Sequence, residues 1–252
     1  DYPFKEVEGE STDHPHHTGM YFTFGSKGEV NGDHFWNMHP VPPQIKHIET
    51  VKAENGILNT LIHCINSENQ PIMEENRAME FVVEENKYII DFTIELKALE
   101  EAVTFEDTKE GMFAIRVADW MCEKNKGKLY ENTGEYLNAE GDKKEKGVWG
   151  KRSSWVRLEG EKDGKFIGIA IYHHPESVNY PTYWHARGYG CFSANPIGQY
   201  DFQRGRGEEN PVRRTLTIEP GETALFKFRM TIYESPGTKD QFDQEFEDFS
   251  KN

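Results

Sequence analysis

The sequence predicts an all-β protein: a large antiparallel β-sandwich with a short C-terminal helix. Three observations lead to this prediction. Apolar residues recur with a period of two, turn dipeptides separate the alternating segments, and helical periodicity is confined to the tail. A period of two turns one face of a strand toward a core and the other toward solvent. A length of 252 residues suits one large β domain, so we expect residues 1–252 to form a single sandwich.

The strands are predicted from segments in which apolar side chains stand at alternate positions. The longest are Tyr88–Leu96 and Phe226–Ile232, and shorter ones begin at Met79 and Phe113. Dipeptides that favour tight turns lie between such segments. They are Asn55-Gly56, Asp163-Gly164 and Pro220-Gly221.

Two further segments complete the predicted architecture. Phe242, Phe246 and Phe249 follow the i, i+4, i+7 spacing of an amphipathic helix that packs one face on a sheet. The stretch Cys122–Val148 is rich in Lys, Glu, Gly and Asn, and we expect a long solvated excursion there. Similar strand patterns on both sides of it argue against a domain boundary.

Composition excludes several classes of partner. A net charge of −15 and a pI of about 5.1 argue against nucleic acid, because phosphate binding depends on clustered cations. A mean hydropathy of −0.80, with no apolar run of about 20 residues, predicts no membrane span. The acidic chain is 13% aromatic, which suits an uncharged or polyhydroxylated ligand.

The cysteines and the first residue leave the compartment open. Cys64, Cys122 and Cys191 are widely spaced without a CxxC pair, so neither a zinc ribbon nor a disulfide framework is indicated. Cys64 lies in an apolar run and is expected to be a buried thiol. Asp1 is not a start methionine. A removed signal peptide, and with it a periplasmic or secreted location, therefore stays an open alternative.

The first of two histidine-bearing segments is Asp13–Gly19. His14 and His16 point the same way in an extended chain, so they are candidate ligands of a divalent metal that takes a third ligand from elsewhere. His16 and His17 are alternatively part of a metal-free ligand site, or the segment is a structural turn. Trp36 follows as a candidate stacking surface for a sugar, with a buried core position as the alternative.

The second segment runs from His173 to Asn195. Its prolines and glycines fix a loop that carries imidazole, indole, phenol and guanidinium groups, a composition typical of a small-ligand pocket. His174 and His185 are candidates for a general acid or base. A well-packed aromatic corner is the alternative interpretation.

Charged residues at strand ends supply the remaining candidates. Glu110 stands at a turn before a predicted strand, where it is free to face a pocket, and Arg152 stands at the mouth of another strand. Arg187 follows His185 and offers a guanidinium fork for an anionic or hydroxyl-rich group. The chain contains no GxSxG, Walker-type, GxGxxG or HExxH motif, which argues against serine-hydrolase, nucleotide-dependent and zincin chemistry.

These motifs carry a family resemblance. The Asp13–Gly19 segment, Val30-Asn31-Gly32 with Phe35-Trp36, and the stretch Gly168–Pro196 resemble the bacterial "methane oxygenase PmoA-like" family, a domain of unknown function, over nearly the whole chain. The resemblance implies a fold similar to galactose mutarotase, a carbohydrate-associated role rather than oxygenase chemistry, and further sequence before Asp1. Mutarotase-like sites use a histidine acid and a glutamate base, but no motif assigns those roles to numbered residues of this chain.

The leading hypothesis is a carbohydrate-active enzyme, a hydrolase, lyase or epimerase, that acts on a sugar or glycoside by His/Glu acid–base chemistry and requires no cofactor. The first alternative is a non-catalytic carbohydrate-binding domain, and the second is a metal enzyme with His14 and His16 as ligands. The predicted catalytic residues are His174, His185 and Glu110. The predicted substrate-binding residues are His16, His17, Trp36, Arg152, Trp184, Arg187, Tyr189 and Asn195.

Overall fold

The computed structural model describes residues 7–17, 19–36 and 41–251. The prediction of an all-β antiparallel sandwich with a short C-terminal helix is confirmed. Fifteen strands and three α-helices follow one another along the described chain. The strands are β1 Met20–Thr23, β2 Gln44–Glu54, β3 Ile57–Ile65, β4 Pro71–Glu84, β5 Lys87–Ala98, β6 Val103–Phe105, β7 Met112–Arg116, β8 Glu135–Asn138, β9 Arg152–Ser153, β10 Trp155–Lys162, β11 Lys165–His173, β12 Thr182–Ala186, β13 Cys191–Asn195, β14 Leu216–Ile218 and β15 Thr223–Tyr233. The helices are α1 Lys144–Val148, α2 Tyr200–Arg206 and α3 Lys239–Phe249.

Two antiparallel sheets form the layers of the sandwich. The larger has eight strands in the order β2-β3-β4-β5-β15-β11-β10-β8, and the smaller has five in the order β1-β7-β13-β12-β9. Strands β14 and β6 form a separate pair. The smaller sheet therefore joins strands that are far apart in the sequence.

The core between the sheets is built from aromatic side chains. Phe113 of β7 lies parallel to Phe228 of β15, with 4.4 Å between the ring centroids. Phe22 of β1 meets Phe226 of β15 edge-on at 5.8 Å. All four rings are buried, and each fully buried ring stabilises the sandwich by roughly 1.5–3 kcal/mol.

Helix α3 lies on the outer face of the larger sheet, which confirms the amphipathic helix predicted for the tail. Its N-terminus is fixed by a capping box between Thr238 and Gln241. Phe242 and Phe249 are buried, and Phe242 lies 5.3 Å from Trp155 of β10 between ring centroids. The predicted spacing therefore marks the face of the helix that packs on the sheet.

The expectation of a solvated excursion over Cys122–Val148 agrees with the half-buried or exposed residues 123–134 but is wrong for residues 135–148. This segment contains β8, which pairs with β10 at the edge of the larger sheet, and helix α1. Cys122, Tyr136 and Val148 are buried. Strand β8 is only four residues long and stands among charged residues, so it shows too little alternation to be detected.

The structure also bears on two further expectations, the burial of Cys64 and the lack of a membrane-spanning segment. Cys64 is fully buried, as predicted, and burial raises the pKa of its thiol well above the ordinary value. Among the described helices, none is long and apolar enough to cross a membrane.

Candidate functional site

One row of side chains crosses the outer face of the smaller sheet. Tyr21 pairs with Ala114, Ala114 pairs with Ser193, and Ser193 pairs with His185. Residues opposite one another in an antiparallel sheet share a face, so all four point away from the core. The segments that carry the two groups of histidines therefore meet on the outer face of this sheet.

A cavity of about 520 Å³ opens on this face. Its volume lies within the range of small-ligand pockets. We call it the histidine pocket. Its lining residues are His14, His16, His17, Ser26, Lys27, Trp36, Lys109, Glu110, His185, Arg187 and Tyr189.

His185 is held in one neutral form by its surroundings. Its Nδ1 accepts a hydrogen bond from Trp149 Nε1 at 3.4 Å, so Nε2 carries the proton of the neutral ring. Burial, reinforced by the positive charges of Lys109 and Arg187, lowers the pKa of His185 to about 3. The ring is therefore uncharged at neutral pH and acts as a hydrogen-bond donor rather than as a charged acid.

Glu110 lies in the turn that leads into β7. Its backbone N–H donates to the hydroxyl of Thr108 at 3.1 Å, and its carboxylate forms an ion pair with Lys109. The side chain of Glu110 is 31% exposed, so the carboxylate remains accessible to a ligand in the pocket. The site thus holds an accessible carboxylate and a neutral imidazole.

Asp13 fixes the first histidine segment. Its Oδ1 lies 3.0 Å from His14 Nδ1 and accepts a hydrogen bond from Arg116 at 3.2 Å. Burial alone would raise the pKa of Asp13, but His14 and Arg116 lower it below the ordinary value. The ring of His14 is parallel to that of Tyr189, with 4.7 Å between centroids. This stack joins the first histidine segment to the loop that carries Arg187.

His16 and His17 form the next wall of the pocket. Their rings meet edge-on at 4.5 Å between centroids. Burial, together with the neighbouring His16 and His14, lowers the pKa of His17 to about 3. Burial and His14 also lower the pKa of His16, although its ring is exposed at the surface. Neutral imidazoles both donate and accept hydrogen bonds, so this wall can bind polar uncharged groups of a ligand.

The candidate metal ligands His14 and His16 lie 5.7 Å apart between ring centroids. Across residues 7–17, 19–36 and 41–251, no group of three His, Cys, Asp or Glu side chains is arranged to hold a metal ion. The histidines stack on one another and on aromatic rings instead of converging on one point.

His174 lies outside the histidine pocket. It directly follows β11 of the larger sheet, and its ring contacts Phe249 of α3 at 5.0 Å between centroids. The side chain is buried, and its Nδ1 accepts the backbone N–H of Glu176 at 3.1 Å. The sandwich core therefore separates His174 from His185. Their proximity in the sequence does not bring them together, because His174 follows a strand of the larger sheet and His185 lies in β12 of the smaller sheet.

Arg152, Trp184 and Asn195 also lie outside the lining of the pocket and make internal contacts. Trp184 is fully buried and donates its Nε1–H to the Ser153 carbonyl at 2.9 Å, so it offers no ring face to a ligand. Arg152 donates to the Pro181 carbonyl at 2.8 Å. Asn195 donates to the Thr108 carbonyl at 2.9 Å, which anchors the turn that carries Glu110. Of the three residues, Asn195 therefore has a direct link to the pocket through the turn of Glu110.

Four residues at or beside the pocket were not among the predicted site residues. Lys109, Lys27 and Ser26 line the cavity, and Trp149 orients His185. Lys109 is adjacent in the sequence to Glu110, a predicted site residue, and this adjacency is the one sequence feature that could have identified any of the four. Trp149 directly follows α1 and lies one residue beyond Cys122–Val148, the segment that was expected to be solvated.

A profile of the family described as "Family of unknown function (DUF6807)" matches residues 6–247. The chain belongs to this family. The description gives no activity, and the PmoA-like label is not part of it. No curated protein matches the chain in sequence.

Two solved structures show a low similarity to this chain. One is a putative aldose 1-epimerase from Escherichia coli, with 9% identity, a TM-score of 0.38, and coverage of 85% of this chain and 82% of that chain. The other is a protein from Synechocystis sp. PCC 6803, with 11% identity, a TM-score of 0.36, and coverage of 85% and 76%. Likenesses of this size carry no information on activity.

Proposed function

We propose that the chain is a sugar-binding enzyme that transfers protons in the histidine pocket, with Glu110 as the base and His185 as the hydrogen-bond donor. One observation carries the proposal. An accessible carboxylate and a neutral imidazole line the same cavity as the aromatic rings of Trp36 and Tyr189. Aromatic rings provide stacking surfaces for the apolar faces of sugars, and the polar groups fix the position of the hydroxyls.

The two central groups have complementary roles. Glu110 takes a proton from a hydroxyl or an acidified carbon of the sugar and thereby becomes neutral. The Nε2–H of His185 donates a hydrogen bond to the sugar oxygen on which negative charge develops. Arg187 is held by an ion pair with Glu145, 3.1 Å from Nε to Oε1, and its remaining N–H groups are available to donate hydrogen bonds to the sugar in the pocket.

The lining of the pocket favours an epimerase or a lyase among the carbohydrate-active classes. Glycosidases of the common kind use two carboxyl groups on opposite sides of the scissile bond. Among the described residues that line this pocket, Glu110 is the one carboxylate. A single carboxylate base with a neutral imidazole donor suits proton abstraction next to the anomeric centre.

The test is a screen of aldoses by polarimetry and of glycosides and keto-glycosides by product release. On a substrate so identified, Glu110→Gln is expected to lower kcat at least a hundredfold and to leave KM within a few-fold, because general base catalysis contributes about 10²–10⁴. His185→Asn is expected to lower kcat as well, since it keeps a donor but changes its position.

Two controls separate catalysis from binding and from folding. Glu106 lies outside the pocket near the same turn and is exposed, so Glu106→Gln is expected to leave kcat unchanged. Trp36→Ala is expected to weaken sugar binding. Unchanged turnover in both Glu110→Gln and His185→Asn would refute the acid–base assignment. Sugar binding without turnover in the unmodified chain would favour a carbohydrate-binding domain.

A further inference from the structure

A second cavity adjoins the histidine pocket. It has a volume of about 750 Å³ and lies where the edge strand β1 of the smaller sheet faces β2, β3 and β4 of the larger sheet. We call it the edge groove. His16 and Trp36 line both cavities. A ligand that fills one cavity therefore has a direct continuation into the other.

The walls of the edge groove are largely apolar and aromatic. Tyr21 and Trp36 meet edge-on, with 6.0 Å between ring centroids. Both rings line the cavity, so each presents aromatic surface of the kind that a ligand ring prefers as a neighbour. The apolar and aromatic lining residues are Pro15, Met20, Tyr21, Phe22, Phe35, Trp36, Ile45 and Ile62.

Most polar groups of the edge groove are already engaged within the protein. Arg77 donates its Nε–H to Glu75 Oε1 at 2.6 Å, and Glu75 is fully buried, so this cation is neutralised. The hydroxyl of Thr23 donates to the Phe35 carbonyl at 2.6 Å. The exposed His47 pairs with Thr50 at 3.3 Å. The groove therefore offers little to the hydroxyl groups of a second sugar and no net charge to an anion.

We propose that the edge groove binds an aromatic group attached to the sugar, so that the substrate is a glycoside with an aromatic aglycone. This inference rests on the proposed function for the identity of the sugar part. The sugar ring lies among Glu110, His185 and Arg187, and the glycosidic bond passes the wall formed by His16 and Trp36. The apolar lining then takes the aromatic ring out of water, which supplies binding energy remote from the reacting atoms.

The experiment uses the aromatic part alone, so it does not depend on the sugar chemistry. Binding of 4-methylumbelliferone to the full chain is followed by fluorescence titration. Ile45 is half-buried and lines the edge groove but not the histidine pocket. Ile45→Glu is expected to weaken binding roughly tenfold or more, because it places a charge against the bound ring. Ile48→Glu is the matched control, since Ile48 lies on the same strand, is 43% exposed and does not line the groove.

A second variant guards against misfolding of the first. Met20 also lines the edge groove and is 36% exposed, so we expect the fold to tolerate Met20→Glu and the variant to weaken binding in the same way.

Glu110→Gln is expected to leave 4-methylumbelliferone binding unchanged. The two proposals can fail separately. If only the acid–base proposal is wrong, the chain still binds 4-methylumbelliferone; if only the groove proposal is wrong, the chain still turns over a free sugar. The inference is overturned if the unmodified chain does not bind the probe, or if Ile45→Glu and Met20→Glu both bind it normally. Competition with phenol and with cyclohexanol tests whether the groove prefers an aromatic ring, and equal displacement of the probe by the two would also overturn the inference.

Discussion

His173 is a buried histidine that does not line the histidine pocket, and its replacement by phenylalanine is expected to make the protein more resistant to acid. The ring is fully buried at the end of β11, stacks on Phe228 at 5.2 Å and contacts Tyr180 at 5.8 Å between centroids. Within the described part of the chain, neither ring nitrogen has a hydrogen-bond partner. His173→Phe retains the ring contacts and removes two unsatisfied polar atoms.

The magnitude follows from the titration of this ring. Burial, and to a smaller extent His174 and Arg152, lowers the pKa of His173 from 6.5 to about 3. Between these two values the unfolded chain binds the proton more tightly than the folded chain does. The titration of His173 therefore costs the folded state almost no stability above pH 6.5. As the pH falls from 6.5 toward 3, the folded state loses stability relative to the unfolded state. From pH 7 to pH 5 this one group lowers the free energy of unfolding by about 2 kcal/mol.

The assay is urea unfolding at pH 7 and at pH 5, followed by tryptophan fluorescence. The unmodified chain is expected to lose stability between these conditions, and His173→Phe is expected to lose about 2 kcal/mol less. At pH 7 the variant is expected to be as stable as the unmodified chain or more stable by about 1 kcal/mol, because no partner is left unpaired by the change. His47→Phe, at an exposed site, is the control and is expected to keep the original pH dependence.

An equal loss of stability in His173→Phe and in the unmodified chain would refute this reasoning. It would mean that the proton is taken up equally in the folded and unfolded states. A strong destabilisation at pH 7 would refute the packing part, since it would show that the imidazole is held by a hydrogen bond.

Three further predictions concern the supports of the fold and the site. Phe249→Ala is expected to lower the free energy of unfolding by about 3–5 kcal/mol in urea titrations and to leave sugar affinity unchanged, because α3 lies on the opposite side of the sandwich from the pocket. Asn195→Ala removes the bond to the Thr108 carbonyl, so we expect a loss of about 1–3 kcal/mol in stability together with a lowered kcat; an unaltered kcat would contradict its link to Glu110. Trp149→Phe frees Nδ1 of His185 and is expected to lower kcat about two- to tenfold, with thermal unfolding as the control for stability.

The sequence predicted those parts of the fold that depend on local periodicity. Strands such as β5 and β15 were evident because their alternation extends over many residues, and α3 because its three phenylalanines mark one helical face. Strand β8 and helices α1 and α2 were not predicted, since short elements at charged positions are stabilised by their neighbours and not by their own pattern. Local periodicity also does not give the order of strands in a sheet.

The same limit applies to the pocket. The clustering of histidines and aromatic residues predicted the two segments that carry the site. Of the predicted residues, His16, His17, Glu110, His185 and Arg187 line one cavity. His174 is close to His185 in the sequence, but it follows a strand of the larger sheet and so lies away from the pocket. Trp184 has the chemistry of a stacking residue, but its indole lies in the core. The direction of a side chain depends on which sheet a strand joins, and that is decided by distant pairings.

The strand order of the smaller sheet has a consequence for folding kinetics. Strand β1 pairs with β7, and β7 pairs with β13, so the histidine pocket is assembled from contacts of high sequence separation. Such contacts form late and slowly, because the intervening chain must lose its freedom before they contribute. The pocket is therefore expected to appear among the last events of folding. A ligand of this pocket would select completely folded chains and slow their unfolding, which makes ligand-induced protection a sensitive measure of whether folding has finished.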